Sequence, residues 1–157
     1  MASISSENNS NTCSTMDFEK YDDELNKILK QFHGALFKII KISEKLDPKN
    51  FYITWLKQQI NIFRKIDKEN IIKRAKDKFW FYRKEIMGHD ISFFHTNQFN
   101  KFVKDDENKQ FMYSFINMLK KKIDDVPEEE KQVIWGQMEI ILETCILYKK
   151  LVKDYDN

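Results

Sequence analysis

Residues 124–154 have the sequence DDVPEEEKQVIWGQMEIILETCILYKKLVKD, and this stretch decides the fold class. It opens with capping aspartates, an early proline and three glutamates, which predict a helix from about Pro127 to Asp154. Two apolar stripes roughly 100° apart follow at helical spacing, the first with Ile134, Met138, Ile141, Cys145, Tyr148 and Val152 and the second with Val133, Ile140, Leu147 and Leu151. Such a helix is either the central helix of a bundle or one that also carries an oligomer interface, and the sequence leaves both open.

Two amphipathic helices are predicted in the first third of the chain. Helix one begins at Asp17, and its apolar residues occupy about half of the helix circumference: Phe18, Tyr21, Leu25, Ile28, Leu29, Phe32, Leu36, Ile39, Ile40 and Leu46. Asp47 and Pro48, a capping residue followed by proline, predict the start of helix two, which ends at about Asp67. The apolar face of helix two contains Phe51, Trp55, Leu56, Ile60, Phe63 and Ile66.

A third helix is predicted from the spacing of Ile72, Ala75, Phe79, Tyr82 and Ile86. Gly88 is expected to end it as a left-handed cap, and whether helices two and three form one bent rod stays open. Asp90 is expected to cap a short helix with Ile91, Phe93 and Phe94, and Phe99, Phe102 and Val103 suggest another. The next clear amphipathic helix contains Phe111, Met112, Phe115, Ile116, Leu119 and Ile123.

The composition excludes the main alternatives to a helical fold. With 3 Gly and 2 Pro, the chain cannot supply the turns that an all-β domain needs roughly every 8 to 12 residues, nor a glycine-rich phosphate-binding loop. Its 13 Phe, 6 Tyr and 3 Trp provide ample core material. We therefore predict an all-α fold, a single bundle of five or six helices over residues 17–157. Residues 1–16, rich in Ser, Asn and Thr, are predicted to be a disordered tail.

The sequence contains no motif typical of catalysis or metal binding. Cys13 and Cys145 form neither a disulfide framework nor a zinc spacing, and Cys145 on an apolar stripe is expected to be structural. His33 is predicted at the rim of helix one, and His89 and His95 are predicted in a loop without the i, i+4 spacing of paired metal ligands. We therefore expect no catalytic residue, no metal, no cofactor and no enzyme activity.

The same features predict a soluble intracellular protein. No uninterrupted apolar run is longer than the four residues 79–82, far short of the roughly 18 residues that span a bilayer. Residues 1–16 lack the basic and apolar regions of a signal peptide. The chain has 24 lysines and 3 arginines but a net charge of only +2, so we attribute the lysine content to AT-rich codons rather than to nucleic-acid binding.

Positive charge is concentrated in residues 64–84, which include nine basic and three acidic residues. A basic and aromatic face is predicted opposite the apolar face of helix three, formed by Lys73, Lys76, Trp80, Arg83 and Lys84. An aromatic ring among cations can anchor a protein partner, stack bases beside phosphates, or bind an anionic membrane. The alternative is that Trp80 packs beneath Phe93, Phe94 and Phe99 while the lysines are merely solvated.

Three segments carry a resemblance to a known group of proteins. Residues 81–86 (FYRKEI), 90–94 (DISFF) and 130–138 (EKQVIWGQM) together resemble uncharacterised helical proteins of large DNA viruses of protists. The resemblance covers roughly the C-terminal half of the chain. It implies a viral origin and a role in the host cytoplasm or in the virion, and it transfers no activity or catalytic residue.

These observations predict a non-enzymatic interaction or structural protein that binds a protein partner or self-associates. The lack of paired catalytic groups and the doubly apolar last helix support this prediction. The alternative is a nucleic-acid-binding module that uses the face around residues 73–84, and an enzyme built on the helical scaffold is a third hypothesis.

Overall fold

The computed structural model describes the backbone of residues 2–95 and 110–156 and the side chains of residues 17–94 and 114–156. In chain order the helices are α1 (Ala2–Leu46), α2 (Phe51–Ile66), α3 (Asn70–Phe81), α4 (Arg83–Met87), α5 (Ser92–His95), α6 (Gln110–Lys122), a 3-10 helix (Ile123–Asp125) and α7 (Glu128–Asp156). The described ranges contain no strand. Because α4 and α5 are single short turns beside five longer helices, the prediction of an all-α bundle of five or six helices is confirmed.

Helix α1 is longer than the first predicted helix, since its bounds include residues 2–16. The side chains of these residues lie outside the described part of the chain, so the disordered tail stays a prediction. The core stripe is confirmed from Leu25 to Ile40, whereas Phe18 and Leu46 at its two ends are exposed.

Helix α7 is the central helix of the bundle, because it packs against α1, α3 and α4. The first apolar stripe of α7 is buried from Ile134 to Tyr148, which confirms the central-helix alternative. Helices α1 and α7 run antiparallel, since the ring of Tyr21 near the start of the α1 core stripe stacks on Tyr155 at the end of α7, with 4.1 Å between ring centroids. The second stripe keeps Val133 and Leu147 in solvent.

Helices α2 and α3 are separate helices, joined by a turn over residues 67–69. Helix α2 begins later than predicted and is capped by Asn50, whose side chain accepts a hydrogen bond of 2.9 Å from the Tyr52 N–H. Asp47 is therefore not its cap, and Pro48 lies in the preceding turn rather than in the first helical position. Asp47 instead accepts hydrogen bonds from Asn50 and Lys122.

The left-handed residue at the end of α4 is His89, not Gly88. His89 has φ 50°, whereas Gly88 has φ −84°. The Asp90 N–H donates to the Glu85 carbonyl at 2.8 Å and the His89 N–H to the Ile86 carbonyl at 3.2 Å, which is the hydrogen-bond pattern of a Schellman cap with His89 in the left-handed position. The His89 ring is held there by stacking on Trp135.

Aromatic side chains of the connector after Gly88 close one end of the bundle. Asp90 caps α5 by accepting from the Ser92 N–H at 2.9 Å, and Phe93 and Phe94 are buried. The Phe93 ring packs against Phe79 and Tyr82, and the Phe94 ring packs against Trp135. The further helix suggested by Phe99, Phe102 and Val103 lies outside the described residues.

Candidate interaction surface on α3, α4 and α7

The five residues of the predicted basic face lie along one side of α3 and the start of α4. Lys73, Trp80 and Lys84 are exposed, and Lys76 and Arg83 are half-buried. This side points to solvent because the opposite side of α3, with Ile72, Ala75 and Phe79, is buried against the bundle. The helical wheel therefore places the face correctly, and we refer to Lys73, Lys76, Trp80, Arg83 and Lys84 as the basic surface.

Trp80 and Arg83 form one stacked unit at the centre of the basic surface. The Arg83 guanidinium carbon lies 4.2 Å from the centroid of the indole ring, within the range of a cation–π contact. Arg83 Nη1 also donates a hydrogen bond of 2.9 Å to the Trp80 carbonyl. Trp80 nevertheless keeps 43% of its surface in solvent. The two side chains are thus fixed in position while the indole stays accessible.

The alternative to a binding role for Trp80 was that it packs beneath Phe93, Phe94 and Phe99. Phe93 and Phe94 contact Phe79, Tyr82 and Trp135 through their rings. Phe99 lies outside the described residues. Within the described part of the chain, the aromatic cover expected for Trp80 is therefore placed over other residues of the bundle end.

Helix α7 adds cations that the sequence analysis did not assign to this surface. A shallow groove of about 570 Å³ lies between α3 and α7. Its lining residues are Lys73, Lys76, Tyr148, Lys149, Val152 and Lys153. Lys149 and Lys153 are more than 60 residues away from Lys73 along the chain, so only the packing of α7 against α3 brings them together. No local sequence pattern could have found them.

Asp77 partly neutralises this groove. Its Oδ1 lies 3.0 Å from Lys149 Nζ, and its Oδ2 lies 3.9 Å from Lys76 Nζ. Within the described residues, Lys73, Lys84 and Lys153 form no ion pair. Two of these lysines, Lys73 and Lys153, line the groove, and Lys84 follows Arg83 directly in the chain.

Of the histidines, His33 is buried rather than at the rim of α1 as predicted, with only 3% of its surface exposed. Burial, together with the nearby positive charge of Arg64, lowers its pKa to about 4. Its Nε2 atom has no hydrogen-bond partner among the described residues. His89 lies in a loop as predicted, with Nε2 2.7 Å from Glu139 Oε1, and the side chain of His95 lies outside the described residues.

The side chain of Cys145 is buried, as expected for a cysteine on an apolar stripe. Burial raises the pKa of the Cys145 thiol far above its usual range, which disfavours the reactive thiolate. Tyr148 donates a hydrogen bond of 2.8 Å to Glu69 Oε1, and burial followed by this contact raises its pKa as well.

No cluster of three or more potential metal ligands occurs in the described part of the chain. No helix there is long and apolar enough to cross a membrane.

Comparison of the chain with protein-family models, with curated proteins and with solved structures finds no match. The proposed function therefore depends on the sequence and the geometry of this chain.

Proposed function

We propose that the chain is a non-enzymatic interaction protein that binds an acidic segment of a protein partner through the basic surface. The exposed Trp80–Arg83 stack among unpaired lysines carries this proposal. Tryptophan and arginine are the residue types most enriched among the few that dominate binding energy at protein interfaces. Because the hydrogen bond to the Trp80 carbonyl already fixes Arg83, little side-chain entropy is lost on binding.

The charges define the partner. Lys73, Lys84 and Lys153 stand without acidic partners in the described chain, so they attract a negatively charged segment and accelerate its association. A compact acidic segment fits better than a long polyanion, because Asp77 already pairs with Lys76 and Lys149 of the groove and the net charge of the chain is only +2. If the resemblance of residues 81–86, 90–94 and 130–138 to viral proteins reflects a viral origin, this partner is in the infected cytoplasm or in the virus particle.

Site-specific photocrosslinking tests the proposal, in an extract of the cells in which the protein is naturally made. A photoreactive residue at position 84 should capture a protein, and the same residue at exposed position 65 on α2 should not. Trp80→Ala or Arg83→Ala should reduce capture at least tenfold, as expected for a hot-spot pair. The captured protein should carry an acidic crosslinked peptide. Equal capture from both positions, or a basic crosslinked peptide, would contradict the proposal.

Nucleic-acid binding is the second candidate function, and the groove between α3 and α7 favours it. Four lysines line this groove, and Trp80 lies further along the same side of α3. An oligonucleotide could place phosphates on the lysines and stack a base on the free face of the indole. Titration with a fluorescent oligothymidine should then give an affinity that falls steeply with salt and drops for the Lys73→Glu/Lys153→Glu double variant. Absence of binding at low salt would exclude this candidate.

A further inference from the structure

A second groove of about 680 Å³ lies between α1 and α7, away from the basic surface. Its lining residues are Lys27, Lys30, Gln31, Gly34, Ala35 and Lys38 of α1 and Gln137, Ile140 and Glu143 of α7. The small residues Gly34 and Ala35 together with Ile140 supply an uncharged floor. The lysines and Glu143 form the edges.

Two glycines in the helix interiors beside this groove are not explained by packing among the described residues. Gly34 lies inside α1, and Gly136 lies one turn before Ile140 on the same side of α7. A Cβ atom at either position would meet no atom of the described neighbouring residues within 4 Å. Glycine destabilises a helix interior relative to alanine, so the bundle itself gains nothing from these residues. They do leave room for another backbone to approach closely.

The second apolar stripe of α7 borders the same groove. Val133, Ile140 and Leu147 are spaced by seven residues and therefore lie along one line on the helix. Val133 is 46% exposed and Leu147 is 41% exposed, while Ile140 lies half-buried between them. A stripe with this spacing matches the length and periodicity of a helix that lies along α7.

The charges at the edge of the groove select the partner. Lys27, Lys30 and Lys38 form no ion pair with the described residues, and Glu143 is the single acidic residue in the lining. Charge complementarity therefore favours an occupant with acidic flanks.

We propose that the groove between α1 and α7 binds an acidic amphipathic helix of a protein partner. Small and apolar side chains of that helix would pack on Gly34, Ile140 and Leu147, and its carboxylates would face Lys27, Lys30 and Lys38. This is the helix-in-groove mode of recognition. The site is separate from the basic surface, so the inference does not depend on the proposed function.

The test uses two synthetic helical peptides of three heptads with the same alanine and leucine face. One carries glutamates beside that face and the other carries lysines. The full-length protein should bind the glutamate peptide in a fluorescence anisotropy titration at low salt, and the lysine peptide at least tenfold more weakly. Lys30→Glu/Lys38→Glu should weaken binding of the glutamate peptide at least tenfold. Lys65→Glu, on the exposed side of α2, serves as the matched control and should have no effect.

A steric variant tests the floor of the groove. Gly34→Leu should weaken binding of the glutamate peptide at least tenfold while helical circular dichroism stays unchanged, because a side chain at position 34 enters open space. Equal binding of both peptides, or no effect of Lys30→Glu/Lys38→Glu, would overturn the proposal. If only Lys73→Glu/Lys84→Glu abolishes binding, the peptide binds the basic surface, which overturns this inference but not the proposed function. A dimer in light scattering that Gly34→Leu abolishes would assign the groove to a second copy and would also overturn it.

Discussion

The Nζ atom of Lys122 lies 2.8 Å from Oδ2 of Asp47 and joins the last turn of α6 to the turn between α1 and α2. The same carboxylate oxygen accepts a hydrogen bond of 3.1 Å from Asn50 Nδ2. The contact with Lys122, followed by that with Asn50, lowers the pKa of Asp47 below its usual range. Residues far apart in the chain are thus linked through one ionised group.

Asp47→Asn should reduce the free energy of unfolding at pH 7 and have little effect at pH 3. A carboxylate whose pKa is lowered in the folded state stabilises the fold above its unfolded-state pKa, and this contribution is lost as pH falls through the folded-state pKa. Urea denaturation of both proteins at pH 7 and pH 3 measures this change in the free energy of unfolding. Asp23→Asn, on the exposed side of α1, is the control. An equal loss at pH 7 and pH 3 would show that the Asp47 charge is not involved.

Titration of His33 should make the free energy of unfolding depend on pH, in a higher pH range than the titration of Asp47. Because its pKa is about 4 in the folded protein and near 6.5 when unfolded, the unfolded state binds more protons between these values. The contribution of His33 to the free energy of unfolding should therefore level off above pH 6.5 and fall by about 3 kcal/mol as pH decreases to 4. His33→Leu should remove this decrease, whereas His89→Asn should retain it. A decrease that persists in His33→Leu would assign it to another group.

The three glycines should respond differently to alanine. Gly34→Ala and Gly136→Ala should each raise the free energy of unfolding by about 0.5 to 1 kcal/mol, because the new Cβ meets nothing within 4 Å and alanine favours the helix. Gly88→Ala is the matched comparison, since its Cβ would lie 3.1 Å from the Lys84 carbonyl oxygen. It should give no gain. Urea denaturation of the three variants measures these changes. An equal gain in the free energy of unfolding at all three positions would contradict the geometric argument.

Helical periodicity predicted the buried faces because burial is a property of a whole helix side. It gave wrong predictions where a single hydrogen bond determines which residue caps a helix, and where a neighbouring helix determines whether a side chain is buried. Asp47 and Asn50 are both good capping residues, and only the contact from Asn50 to the Tyr52 N–H distinguishes them. His33 lies at the edge of the α1 stripe, so its burial depends on the packing of the surrounding helices rather than on its own spacing.

The candidate surface was predictable only in part, for a related reason. Lys73, Lys76, Trp80, Arg83 and Lys84 lie within two short adjacent helices, so the helical wheel could group them. The contribution of Lys149 and Lys153 depends on the register between α3 and α7, which the contacts of Asp77 with Lys149 and of Glu69 with Tyr148 define. That register is a tertiary property.

Cys145 should be protected from thiol reagents in the native protein. Its side chain is 1% exposed, and burial raises its pKa, so both access and thiolate formation are suppressed. In a Cys13→Ser background, reaction with a chromogenic disulfide reagent should require unfolding and be more than ~100-fold slower than in urea. Asn61→Cys in a Cys13→Ser/Cys145→Ser background, exposed on α2, should react quickly without urea. Rapid stoichiometric labelling of native Cys145 would mean that α7 opens far more readily than a central helix should.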